Sequence, residues 1–248
     1  MGFQGILFDL GNTLLHFNGD YARMTTEADE ALITSLKEAG LALDGEQFER
    51  DFRNRLTNYH LEREINFVEH TTKHILQKLL AEYGFKEVPD RVLEEGLKSL
   101  YGVSQAQWIP EEDALPTLKV LRKKGVRLGV VSNAGDDTDV QRLVDKAGIR
   151  PFLDFVLSSA AHGLRKPDTT IFKQALEYWG FSPDEVAMVG DTLDADILGA
   201  NRAGLFSIWL TRRASTPANH ANRETIVPDA FIRTLDELPA LLESMEAR

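Results

Sequence analysis

Four short stretches of this 248-residue chain carry side chains suited to chemistry. Asp9 lies in FDLGNT, Ser132 and Asn133 in VVSNAG, Lys166 in RKPD, and Asp191 and Asp196 in MVGDTLDAD. A carboxylate nucleophile cannot approach a dianionic phosphoryl group unless cations offset the repulsion, so it needs a metal and a lysine beside it. Asp9, Asp191 and Asp196 offer the hard oxygen ligands that Mg2+ prefers, and Lys166 offers a fixed positive charge. The Ser132 hydroxyl and the Asn133 amide can hold phosphoryl oxygens. Singly, these are turn formers, helix caps and a solvated loop; as a set they fit phosphoryl transfer.

Such a set works only if the fold brings it together. Short aliphatic runs at Val126 to Val131, Phe155 to Leu157, Val186 to Val189 and Phe206 to Leu210 alternate with amphipathic stretches, the βαβ pattern of a parallel sheet covered by helices. Gly5 to Phe8 reads as a further strand of that sheet. In an open parallel sheet ligands bind at the carboxyl ends of strands, and Asp9, Ser132 and Asp191 all fall there.

More than a hundred residues separate the first strand from the second. They read as helices over Thr25 to Ala39, Gly45 to about Glu64, Phe67 to Tyr83 and Pro89 to about Tyr101. Val68, Ile75, Leu76, Leu79 and Tyr83 share one face of the third, and Gly40 and Gly84 sit where left-handed cap residues belong. The expected organisation is an α/β, Rossmann-like core of residues 1–15 and 106–248 interrupted by a helical domain of residues 16–105. Asn18-Gly19 is the flexible crossing on one side, and Gln105-Ala106-Gln107 an ordinary linker on the other.

The ordered motifs FDLGNT, VVSNA, KPD followed by Ile171-Phe172, and GDTLDADILGA resemble those of the haloacid dehalogenase (HAD) superfamily. The late PDAFIRTLDELPALL resembles its last strand and helix, and the insertion its first, helical class of cap. The resemblance implies that Asp9 is a nucleophile forming an aspartyl-phosphate. It also implies that Mg2+ is held by Asp9, the Gly11 carbonyl and Asp191, with Asp196 ligating directly or through water. Thr13, Ser132 and Asn133 would contact the transferring group, Lys166 would neutralise it, and the cap would supply substrate contacts and open and close.

One departure bears on activity. Most phosphatases of that family carry an acid/base aspartate two residues after the nucleophile, and here the slot is Gly11. General acid/base help is worth ~10²- to 10⁴-fold, so its loss slows poor leaving groups more than activated esters. His16, Asp20 and Asp194 are the neighbours considered as replacements. Hydrolysis of a carbon-halogen or carbon-phosphorus bond, the latter needing a cap lysine such as Lys37, and a phosphate-binding role without catalysis are the alternatives.

Outside the motifs the signals are weaker. His70 and His74 share a helix face without a third ligand, Arg50, Arg53, Arg55 and Arg63 alternate with acids as on a salt-bridged face, and Trp108 and Tyr59 fit either a specificity pocket or packing. With 43% apolar and 27% charged residues the chain has an ordinary globular composition, and no window approaches a membrane span. The net charge of −11 disfavours nucleic acid as a partner. The start lacks a signal-peptide pattern, and the absence of cysteine fits a reducing compartment. The expected protein is cytoplasmic, a monomer or homodimer, and acts on a small phosphorylated metabolite.

Overall fold

Ile6, Leu7 and Phe8 have no exposed surface, as a strand covered on both faces requires. The computed structural model describes residues 2–246. Its strands are β1 (Gly5–Phe8), β2 (Leu15–Phe17), β3 (Trp108–Pro110), β4 (Arg127–Ser132), β5 (Phe155–Ser158), β6 (Val186–Gly190), β7 (Phe206–Leu210) and β8 (Ala230–Ile232). Six form one parallel sheet in the order β5-β4-β1-β6-β7-β8. From β1 the chain builds outward on one side with β4 and β5, then on the other with β6, β7 and β8. The reversal of direction beside β1 opens a crevice at the carboxyl ends of β4, β1 and β6.

Side-chain alternation along β1 splits the core in two. Ile6 and Phe8 join Leu118, Leu121, Val140 and Val144 on one face, whereas Leu7 joins Ile171, Phe172, Ala175 and Leu176 on the other. Close approach explains two glycines. A β-carbon on Gly129 would meet the Phe155 ring at 2.6 Å, and one on Gly190 would lie 2.3 Å from the Asp196 carboxyl. The glycine before Asp191 thus makes room for the second aspartate of its own motif.

The long insertion is helical: α1 (Tyr21–Glu38), α2 (Gly45–Asn66), α3 (Thr72–Glu82) and α4 (Asp90–Gln107). Asp20, Asp44 and Thr71 cap the first three by accepting from backbone N–H groups of the first turn. The helices enclose their own core of Leu32, Leu36, Phe48, Phe52, Leu76, Leu79, Leu80 and Leu93. Gly40 and Gly84 take left-handed φ values of 95° and 91°. An antiparallel ribbon of β2 and β3 joins the insertion to the sheet.

Two local expectations differ. The third helix starts at Thr72 rather than Phe67, because Phe67 is left-handed (φ 57°) and ends α2. Val68 and Glu69 run extended from there, Val68 bridging Leu164 and the Glu69 N–H donating to the Gly163 carbonyl (2.9 Å). Gln105-Ala106-Gln107 is the last turn of α4 rather than a linker. Among the described residues no helix is long and apolar enough to cross a membrane.

Candidate active site

Each acidic motif residue is placed by a strand end. Asp9 follows β1, Asp191 follows β6, and the wide helical turn Leu193–Ile197 folds Asp196 back over Gly190. Carboxylate oxygens of Asp9, Asp191 and Asp196 all lie within 4.8 Å of one another. Asn219 fixes this loop by donating to the Asp191 carbonyl (2.9 Å) and accepting from the Leu193 N–H (2.8 Å).

Lys166 ties the cluster together. Its buried Nζ donates to Asp9 Oδ1 (2.7 Å), Asp196 Oδ1 (2.6 Å) and the Val131 carbonyl (2.7 Å). Burial works to lower the pKa of this amine, but Asp196 and Asp9 outweigh it, and the net shift is upward. Burial raises Asp191, and Asp9 and Asp196 raise it further; burial and Asp9 also hold Asp196 up against the opposing pull of Lys166. Three carboxylates sharing one lysine leave negative charge uncompensated, which a divalent cation would balance. Hard, closely spaced oxygens suit Mg2+. Asp196 already spends Oδ1 on Lys166 and Oδ2 on the Thr192 N–H (3.0 Å), whereas Asp9 Oδ2 and Asp191 Oδ2 make no hydrogen bond with the described residues.

A cavity of about 410 Å3 opens over the cluster. Asp9, Gly11, Ser132, Asn133, Lys166, Asp191 and Asp196 line it, so the structure brings these sequence candidates together. Thr13 is fully buried and is not one of the lining residues. Asn133 lines the cavity, yet its amide is engaged with the lysine loop. It donates to the Lys166 carbonyl (2.9 Å) and accepts from the Lys166 N–H (2.8 Å), which positions Lys166 instead of reaching for a ligand. Of the acid/base replacements considered, Asp194 lines the cavity; Asp20 caps α1, and His16 pairs with Glu111 at 3.3 Å.

Trp108 lines the cavity, but Tyr59 does not: its hydroxyl is bound to Glu69 (2.5 Å). Arg50, Arg53, Arg55 and Arg63 are all ion-paired with acids. His70 and His74 have ring centroids 5.1 Å apart, but among the described residues the only acid or histidine group spaced for a metal is the aspartate triad.

Sequence reasoning missed Arg165, Glu64 and Asp139, which also line the cavity. Arg165 had a visible signal, adjacency to Lys166; Glu64 had none, because the packing of α2 brings it to the site, and Asp139 comes from the first turn of the helix Asp137–Lys146 that follows β4. Asp139 accepts from the Gln105 side chain of α4 (2.7 Å), and burial pushes its carboxyl up to about 6. Glu69 is a second bridge between insertion and sheet: fully buried, it accepts from Tyr59 and from Ser159 Oγ (2.7 Å). The same Ser159 hydroxyl accepts from the Ala134 N–H (2.9 Å), one residue after Asn133.

A family model for haloacid dehalogenase-like hydrolases matches residues 3–204. The chain is 28% identical over 241 residues to a glyceraldehyde 3-phosphate phosphatase of Methanothermobacter thermautotrophicus, covering 97% of this chain and 98% of that one. It is 37% identical over 103 residues to a phosphoserine phosphatase of Thermus thermophilus, covering 42% and 40%. A crystal structure of a 2-haloacid dehalogenase from Pseudomonas syringae superposes with a TM-score of 0.68 and 25% identity over 98% of this chain and 99% of that one.

Proposed function

Because the chain belongs to the haloacid dehalogenase-like hydrolases, we propose that it is a Mg2+-dependent phosphatase acting on a small phosphorylated metabolite through an aspartyl-phosphate on Asp9. The observation that carries this reading is the bridge from Lys166 Nζ to Asp9 and Asp196, with Asp191 within metal-sharing distance. Similarity to proteins named as phosphatases, one along nearly its whole length, supports a phosphate ester as substrate.

In this reading one Asp9 carboxylate oxygen attacks phosphorus, the ester P–O bond breaks, and the leaving oxygen takes a proton from solvent water, since position 11 is glycine. Water then attacks the phosphorus of the acyl phosphate, releasing phosphate and restoring the carboxylate. Lys166 orients Asp9 and supplies charge to the transferring oxygens, and the Ser132 hydroxyl at the cavity wall donates to one of them. Asp9, Asp191 and the Gly11 carbonyl would hold Mg2+, with Asp196 acting through water because both its oxygens are engaged. The ion supplies electrostatic stabilisation of the phosphoryl charge. The helices α1 to α4 serve as the cap expected over residues 16–105, set on the β2–β3 ribbon.

Steady-state hydrolysis of p-nitrophenyl phosphate and acetyl phosphate, with Mg2+ or with EDTA, tests the reading. Turnover that needs Mg2+ and vanishes in Asp9→Asn is expected; equal turnover in Asp9→Asn overturns it. The dehalogenase superposition favours carbon-halogen hydrolysis as the second reading. Halide release from a 2-haloacid, unaffected by EDTA, would replace the first reading with that one.

A further inference from the structure

The cavity contains a second cation that the phosphoryl chemistry leaves unused. Arg165 lines it one residue before Lys166, and its Nη1 is buried without a hydrogen-bond partner. Two other partly buried arginines are closely paired, Arg53 with Asp29 at 2.5 Å and Arg212 with Glu111 at 2.7 Å, whereas Arg63, which does not line the cavity, is 3.4 Å from Glu69 and also has a buried nitrogen without a partner. The acids nearest Arg165 stand further off: Glu64 Oε1 is 3.6 Å and Glu69 Oε2 is 3.9 Å from Nη1. Glu69 is already engaged by Tyr59 and Ser159. Glu64 is 58% exposed and can turn to solvent when another acid arrives.

The main chain holds Arg165 in place even though its side chain lacks a close partner. Its N–H donates to the Phe67 carbonyl (2.9 Å), which fixes the loop against the segment between α2 and α3. A guanidinium stays charged when buried and offers paired N–H donors that match a carboxylate, whereas a neutral alcohol or alkyl group would leave those donors unmet. A cavity of about 410 Å3 has room for a phosphoryl group at Lys166 and a short carbon chain reaching Arg165.

We propose that Arg165 is a specificity-determining residue that binds a carboxylate on the alcohol portion of the substrate, so that the preferred substrates are phosphorylated hydroxy acids. This inference rests on the phosphatase reading and names the substrate class of the same site. Lys166 and the aspartates act on the phosphoryl end; Arg165 fixes the acid end and thereby the position of the scissile bond.

The test uses non-hydrolysable ligands, so it does not depend on turnover. Titration calorimetry with Mg2+ compares 3-phosphonopropionate with propylphosphonate, which has the same carbon chain length without the acid, on the parent protein, Arg165→Lys and Arg165→Gln. The parent should bind the acid about tenfold or more tightly, the order expected for hydrogen bonds to a charged group. Arg165→Gln should lose that preference, and Arg165→Lys should keep part of it. No preference in the parent, an unchanged preference in Arg165→Gln, or equal weakening of both ligands in that variant, as a structural role requires, overturns the proposal. Hydrolysis of p-nitrophenyl phosphate by the parent separates the two claims. Turnover without preference removes the role of Arg165 alone, while neither turnover nor phosphonate binding removes the phosphatase reading and this inference with it.

Discussion

The six-membered ring of Trp108 stands 3.3 Å from where a β-carbon on Gly11 would lie. Phe17 backs that ring edge-on at a centroid distance of 5.7 Å. Gly11 is not among the glycines with left-handed φ, so its backbone does not demand glycine. The indole therefore crowds the proton-donor slot from the side, and an added side chain makes it give by a few tenths of an ångström. Gly11→Asp alone should gain little in kcat on alkyl phosphates. Gly11→Asp with Trp108→Phe should gain on the order of a hundredfold, the lower end of acid/base help. The two kcat values on one alkyl ester decide the matter: a full gain in the single variant would show that Trp108 does not block the slot.

Asp139 should give the fold a measurable pH dependence. Its folded pKa is pushed up to about 6 from 3.8 by burial, so the folded state holds this proton more tightly than the unfolded state does. The associated stability is present below about pH 4 and is lost as pH rises through about 6. Asp139→Asn can still accept from Gln105 and carries no charge. It should be more stable than the parent by on the order of 2 kcal/mol at pH 7 and indistinguishable near pH 4. Urea unfolding at the two pH values checks this; equal destabilisation at both would rule out the burial cost.

Metal removal should be visible without any substrate. A ligand that binds only the folded state at about 100-fold over its Kd stabilises by roughly 2.7 kcal/mol. For a chain of this size that raises Tm by roughly 5–10 °C. Asp191→Asn should raise the Tm of the metal-free protein, because it removes a buried carboxylate beside Asp9 and Asp196, yet respond weakly to Mg2+. A parent Tm that ignores saturating Mg2+ would argue against the aspartate triad as a metal site.

The sequence revealed the sheet and the cluster because both depend on local pattern. Aliphatic runs marked the strands, and residues that end neighbouring parallel strands converge whatever surrounds them; hence Asp9, Ser132 and Asp191 meet. Lys166 was legible as a charge in the connecting loop. What stayed hidden depends on contacts distant in sequence. The Val68 bridge to Leu164 cuts short the third helix, and Gln105 extends α4 to reach Asp139. Asn133 illustrates the same limit: its amide can bind an anion, and only the structure shows it engaged with the Lys166 main chain.

The most direct test of the account is to trap the covalent state at Asp9. The enzyme is mixed with acetyl phosphate and Mg2+, quenched rapidly, and reduced with borohydride, which converts an acyl phosphate to an alcohol. Peptide mass spectrometry should then find homoserine at position 9, only when substrate is present and not in Lys166→Ala, where the carboxylate loses its cation. An unmodified Asp9 in samples that are turning over substrate would contradict the account.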